Sequence, residues 1–273
     1  MKARSMHLIW LVAAALLGWG AAFGQAGPPP GPPGPGAHHH RGWMMDFVRI
    51  EMGLMGRTVT GAPFSAHMVT QRSQTLSDGT HVTHQSTGAV YRDSAGRMRQ
   101  EWSMTGLRWL TGPGQAAHAL FISDPVAGYH YVVDEDSKTV SRMPLPSTDA
   151  VKQRGARPAR HGEQVATESL GTQVIEGVNA EGTRITRTIA VGAEGNDKAI
   201  QIVTERWFSP DLQTVVLIKH SDPWMGESTM RLTNISRSEP AASLFALPSD
   251  YAVRDRPAPP AFGRRGGAAP PND

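Results

Sequence analysis

The 273-residue chain contains no cysteine. That excludes disulfides, thiolate metal ligands, a thiol nucleophile and a lipidated cysteine anchor. A fold without them rests on its apolar core and its sheet hydrogen bonds. The longest apolar run, Leu8 to Leu17, is too short for a bilayer span, which takes about 20 residues. Local catalytic signatures are missing too. There is no Gly-x-Ser-x-Gly elbow, no His-Glu-x-x-His and no phosphate loop ending Gly-Lys-Ser/Thr. A triad assembled from distant residues stays open.

What the N-terminus does have is an export signal. Lys2 and Arg4 precede the apolar run LIWLVAAALL, and small residues follow in GWGAAFGQA. Cleavage is expected after Gly24, giving a periplasmic or extracellular product with no stable membrane anchor. Residues 25–41 form a Pro/Gly spacer that ends in His38, His39 and His40. Proline removes donors and glycine adds freedom, so a disordered spacer is expected. The tail 254–273 has the same character, and a polar basic loop is expected at 147–163. Between them, 42–253 reads as one β-rich domain.

The formal charge of +3 misleads. Residues 42–146 plus 164–253 carry 16 Lys+Arg against 20 Asp+Glu, so 16 − 20 = −4 for the body. The positive excess belongs to the flexible pieces. A folded nucleic-acid site needs a basic face on the body, so no nucleic-acid partner is expected.

Strand signals recur along the body. PFSAHMVTQRSQTL and THVTHQSTGAVYRD flank a turn at Ser77–Gly79, where Asp-Gly supplies positive φ. DSAG at 93–96 turns into RMRQEWSMT. There Met98, Trp102 and Met104 alternate with Arg97, Arg99 and Glu101, so the first set is expected to face inward and the second outward. YHYVVD and KTVSRMPLP flank the acidic tip DEDS. In the second half, TQVIEGV, a turn at NAEG (179–182) and TRITRTIAVG predict a hairpin. AIQIVTERWFS and TVVLIKHSD flank PDLQ, and STMRLTNISR is a last strand. Val215 to Ile218 are all apolar, which places their strand centrally. Trp43, Phe47, Ile50 and Leu54 share one face of a helix predicted over 43–57, and Glu239 to Phe245 add a helical turn. The expected fold is mainly β: a strongly curved antiparallel sheet, an open half-barrel of about a dozen strands, with that helix across its concave face.

Candidate chemistry is thin. His81 and His84 are three apart on a strand and point to opposite faces, so they do not share a metal. Asp134, Glu135 and Asp136 lack the glycine and terminal glutamate of a calcium loop and read as a soluble hairpin tip. Glu205 and Asp211 flank a strand end, with nothing to make them converge. No catalytic residue, cofactor or metal site is assigned. Large aromatics are first of all core. In an oversized curved sheet, some would wall a cavity instead. Trp102, Tyr131, Trp207, Leu217 and Leu232 are the expected wall residues, acting through shape and desolvation.

Several runs are familiar in their order. GAVYRDSAGRMRQEW (88–102) is followed by ERWFSPDLQTVVLIKH (205–220) and TMRLTNISRSEPAASLFALPSDY (229–251). Trp207, Ser209 and Leu212 fit one pattern, Leu232, Asn234 and Ile235 a second, and Pro240, Phe245, Pro248 and Tyr251 a third. In this the chain resembles periplasmic proteins of the LolA/LolB/RseB type. The resemblance implies an open β half-barrel that binds lipidated or apolar ligands. Three classes of function follow. The favoured one is an envelope carrier or sensor for an acyl chain or another apolar or lipidated ligand. The others are an envelope module that recognises proteins through its sheet edges, and an enzyme with an unrecognised site.

Overall fold

The computed structural model describes residues 58–104, 117–145 and 163–256. The signal segment, the spacer, the helix expected at 43–57, residues 147–162 and the tail from 257 lie outside the described residues. Twelve strands follow in chain order. The first six are β1 (Phe64–Thr75), β2 (His81–Arg92), β3 (Met98–Met104), β4 (Ala117–Asp124), β5 (Tyr129–Asp134) and β6 (Thr139–Pro144). Then come β7 (Glu163–Ile175), β8 (Val178–Ile189), β9 (Ile200–Ser209), β10 (Thr214–Asp222), β11 (Gly226–Ser236) and β12 (Ala252–Asp255). One 3-10 turn, Ala242–Phe245, precedes β12.

All twelve strands form one sheet, in the order β12-β6-β5-β4-β3-β2-β1-β11-β10-β9-β8-β7. The two meanders, β1 to β6 and β7 to β11, meet at the antiparallel β1–β11 seam, where Met68 faces Leu232 and Thr70 faces Met230. The end strands β12 and β7 do not pair, so the sheet stays open rather than closing into a barrel. Pairing is antiparallel except at β12, which runs parallel to β6. That last strand carries the body past the expected boundary at 253. Arg142 holds Asp255 through two bonds of 2.6 and 3.1 Å, and the Arg256 N–H donates to the Arg142 carbonyl.

The expected turns at Ser77–Gly79, 93–96, 134–137 and 210–213 all join antiparallel neighbours. The turn at 179–182 does not exist. Glu176 and Gly177 make the β7–β8 turn instead, with φ of 49° and 78°. Two consecutive positive φ values match the right-handed twist of a two-residue hairpin. Asn179 to Gly182 therefore belong to β8. Gly182 is there for another reason. It faces Trp207 across the β8–β9 ladder, and a Cβ at 182 would stand 2.6 Å from two atoms of the indole ring. β7 also starts earlier than the sequence suggests, at Glu163, within the segment read as a loop.

Alternation along each strand sorts side chains to two faces. Phe64, Ala66 and Met68, Val90, Trp102 and Leu232 share the first face, following the registers of β1 with β2 and β11 and of β2 with β3. They belong to the larger buried cluster, together with Leu212, Trp207, Leu217, Val178 and Ala180. Leu120, Ile122, Tyr131, Val133 and Val140 stand on the second face and form a separate cluster. β10 lies between β9 and β11, and Val215, Val216, Leu217 and Ile218 are all buried, so this strand is covered on both faces.

The chain after β11 covers the second face on its way to β12. Leu247 and Tyr251 pack on the second cluster, and Phe245 is buried with the Arg97 guanidinium 5.1 Å from its ring centre. Arg99 donates to the Leu244 carbonyl at 3.0 Å, and Glu239 accepts from the backbone N–H and hydroxyl of Ser94. Trp102 is buried and Met98 packs on its cluster, as the alternation requires. Arg97, Arg99 and Glu101 are half-buried rather than fully wet, because this crossing segment lies over their side of the sheet.

Candidate functional site

A half-open groove of about 450 Å³ crosses the second face of β1 to β4. Its volume falls within the range of about 300–1,000 Å³ of small-molecule sites. His67 and Val69 of β1, Thr87 and Ala89 of β2, Arg99, Glu101 and Ser103 of β3, and His118 and Leu120 of β4 line it. Glu135 of the β5–β6 turn and Thr233 of β11 complete the wall. The ladder explains the convergence. His67 pairs with Ala89, Val69 with Thr87, Ala89 with Glu101, and Glu101 with Leu120, so each row projects to the same side. Gly88 lets β3 come close: a Cβ there would collide with the Glu101 carbonyl oxygen.

Chemically the groove is amphipathic. Val69, Ala89 and Leu120 give an apolar strip, and imidazoles and charges surround it. Arg99 Nε donates to Glu101 Oε1 at 2.6 Å, and the same guanidinium is tied to Leu244. Its charge is thus neutralised and its geometry fixed. His67 Nδ1 lies 3.4 Å from the Asn234 side-chain amide. Asn234 adopts φ of 53° where the β1–β11 register shifts, which brings its side chain toward His67.

The five expected wall residues are all buried, but they do not surround one space. Trp102 and Leu232 stand on the first face, whereas Tyr131, Trp207 and Leu217 stand on the second. Tyr131 belongs to one cluster and the other four to another. Of the five, only Trp102 borders the groove, and alternation places its indole on the opposite face from His67 and Leu120. Its Nε1 is buried with no hydrogen-bond partner among the described residues, as is Thr70 Oγ1 on the same face. The groove residues His67, His118 and Glu135 escape a reading of the sequence. They are single polar positions on three different elements, and only the ladder brings them together.

The other residues weighed from the sequence have ordinary partners. His81 Nδ1 lies 3.0 Å from Thr75 Oγ1, while His84 sits opposite Arg72. Asp134 accepts from the Ser137 N–H within the acidic turn, which holds its carboxyl below the usual range. Glu205 pairs with Arg184 at 2.8 Å and Asp211 with Arg237 at 2.8 Å, so the two carboxylates serve different arginines. No three His, Asp or Glu residues are placed to share a metal ion among the described residues. Nor is any helix there long and apolar enough to cross a membrane. His220 is the most perturbed imidazole. It is buried beside Thr204, 2.9 Å from Nδ1, and burial lowers its pKa to about 4 despite the opposing charge of Asp222.

No family model and no curated protein match the chain. Several solved structures are similar to it. The MucA/MucB complex of Pseudomonas aeruginosa matches at 10% identity with a TM-score of 0.37, covering 78% of this chain and 62% of that one. The chain thus spans less than two thirds of that structure's length. Lipoprotein LppX of Mycobacterium tuberculosis matches at 18% identity and a TM-score of 0.29, covering 66% of this chain and 90% of that one. A LolA superfamily protein of Nitrosomonas europaea matches at 9% identity and a TM-score of 0.29, with 68% and 90% covered.

Proposed function

We propose that this is an exported envelope protein that binds an acyl chain or another lipidated, amphiphilic molecule as a carrier or sensor, without catalysing a reaction. The observation that supports this reading is the groove on β1 to β4. An apolar strip of Val69, Ala89 and Leu120 is rimmed by His67, His118, Arg99 and Glu101. Such a surface fits a ligand with an apolar body and a polar end. The strip supplies desolvation, and the rim holds the polar end near water. Arg99 and Glu101 satisfy one another, so the rim favours a ligand of low net charge over a strong anion.

Uptake of a fluorescent fatty acid tests the reading. The protein should raise probe emission at micromolar concentration. Thr87 is exposed and projects into the groove, so Thr87→Trp fills the space without disturbing the core. That variant should lose uptake and keep its melting temperature. No uptake by the unaltered chain, or equal uptake by both, would overturn the reading. EDTA should have no effect.

A further inference from the structure

The two ends of the sheet are built differently. β12, at one end, has four residues. β7, at the other, has thirteen, and among the described residues its single neighbour is β8. In an antiparallel pair every second residue turns its N–H and C=O away from the partner, so β7 presents a long row of unpaired backbone groups. Residues 164–169 are exposed on both faces, and Val165 and Val174 are 45% and 69% exposed. Soluble proteins usually protect such an edge with lysine, proline, a charge pointing inward or a covering element. EQVATESLGTQVI contains no lysine, arginine or proline. Its two carboxylates are neutralised from behind. Glu163 meets Arg187 at 3.0 Å and Glu168 meets Arg184 at 3.1 Å, both arginines being on β8.

We infer that this edge pairs with the β7 edge of a second copy of the chain, antiparallel, about a two-fold axis at Ala166. The pattern of the strand itself selects this occupant. The β7–β8 register shifts between Ser169 and Gly171, so the regular stretch is 163–169 and its midpoint is Ala166. Antiparallel pairing about that midpoint sets Glu163 against Ser169, Gln164 against Glu168, Val165 against Thr167, and Ala166 against itself. No like charges face each other, which an arbitrary edge of this composition does not guarantee. The residue on the axis is small, so the two copies meet there without a clash. The interface is isologous and closes at two subunits, joining two twelve-stranded sheets into one. This inference does not rest on the groove. The groove lies on β1 to β4, five or more strands from β7 in the sheet order.

Two variants of the purified protein test it. Because the chain has no cysteine, Ala166→Cys introduces a single thiol, which would face its own copy. Directly opposed residues in an antiparallel pair have Cα atoms about 4.5–5.5 Å apart, within the span a disulfide bridges. Mild oxidation should give a cross-linked dimer much faster than it does for Val126→Cys, on an exposed turn elsewhere. Ala166→Lys sets two ammonium groups against each other at an exposed site and should leave the fold intact. In sedimentation velocity over a concentration series, the unaltered chain should shift from monomer to dimer, and Ala166→Lys should stay monomeric with an unchanged circular dichroism spectrum. A chain that remains monomeric throughout overturns the inference. So does a dimer that Ala166→Lys leaves intact, or cross-linking at 166 no faster than at 126.

Discussion

Arg92 lies 1% exposed at the end of β2, with no carboxylate against it among the described residues. Its Nε and Nη2 donate to the Ala62 carbonyl at 3.0 and 2.8 Å, Nη2 also reaches the Leu212 carbonyl, and the guanidinium stands 4.7 Å over the Phe64 ring. One side chain thereby ties the entry to β1 to the β9–β10 turn, which belong to different meanders. Burial opposes the charge and lowers its pKa from the usual guanidinium value to about 10. At about 1.4 kcal/mol per unit, the ionised form is disfavoured by roughly 3 kcal/mol, yet it stays protonated at neutral pH. Arg92→Met removes that cost and the bonds together. The Leu212 carbonyl then loses its donor in a buried place and the Ala62 carbonyl in a half-buried one, at about 1–3 kcal/mol each, and charged hydrogen bonds contribute more than neutral ones. Together the carbonyls cost about 2–6 kcal/mol against roughly 3 kcal/mol of desolvation relief, so the balance predicts a net loss centred on about 1 kcal/mol. Arg92→Lys keeps the charge but cannot fork to both carbonyls, and should lose an intermediate amount. Urea unfolding at neutral pH measures all three proteins. A methionine variant as stable as the unaltered chain would refute the reasoning. It would show that Arg92 is tolerated rather than required.

Four further outcomes are expected. Gly182→Ala drives a methyl group into the Trp207 ring and toward Leu170 Cβ at 2.9 Å, so it should cost about 1–3 kcal/mol and alter the near-ultraviolet dichroism of tryptophan, whereas an unaltered spectrum would mean the ring does not lie on Gly182. Trp102→Ala should cost about 3–5 kcal/mol, but Trp102→Phe should cost less than about 1.5 kcal/mol because the buried indole N–H makes no bond to lose; equal losses in urea melts would contradict this. His220 is held neutral in the fold with a pKa near 4 against 6.5 in the unfolded chain. The unfolded chain therefore binds the extra proton between these values, and stability should be complete above pH 6.5, fall as pH drops toward 4, and lose about 3 kcal/mol in all; His220→Gln should flatten that segment of the pH–stability curve. Arg142→Ala removes an exposed pair with Asp255 and should cost less than about 1 kcal/mol while raising amide exchange across 252–256, and unchanged exchange would show that β12 is held by its ladder alone.

Much of the architecture is legible in the residues. The turns at 77–79 and 93–96 carry Asp and Gly where positive φ is needed. The four-residue apolar run 215–218 marks a strand covered on both faces, and Trp102 alternates with Arg99 and Glu101 as a strand between core and surface must. What eludes such reading has a common cause. β7 shows no alternation because both of its faces are wet, so its polar residues read as loop. Asn179 to Gly182 imitate a turn because Gly182 is fixed by a ring across the ladder rather than by its own φ. β12 is recognisable only from the Arg142–Asp255 pair, which lies 113 residues apart in sequence. The groove is the extreme case. His67, Thr87, Glu101 and His118 look like the solvent side of ordinary strands until the register aligns them over Val69, Ala89 and Leu120.

The central claim, that the groove on β1 to β4 holds an amphiphilic ligand, is tested most directly by native mass spectrometry of the protein purified from the envelope that produces it, with extraction of whatever it carries. The unaltered chain should show a population heavier by the mass of one lipid-like molecule, and the extract should contain that molecule. The Thr87→Trp protein prepared in the same way should show its bare mass alone. A bare mass for the unaltered chain, or the same adduct on both proteins, would contradict the account.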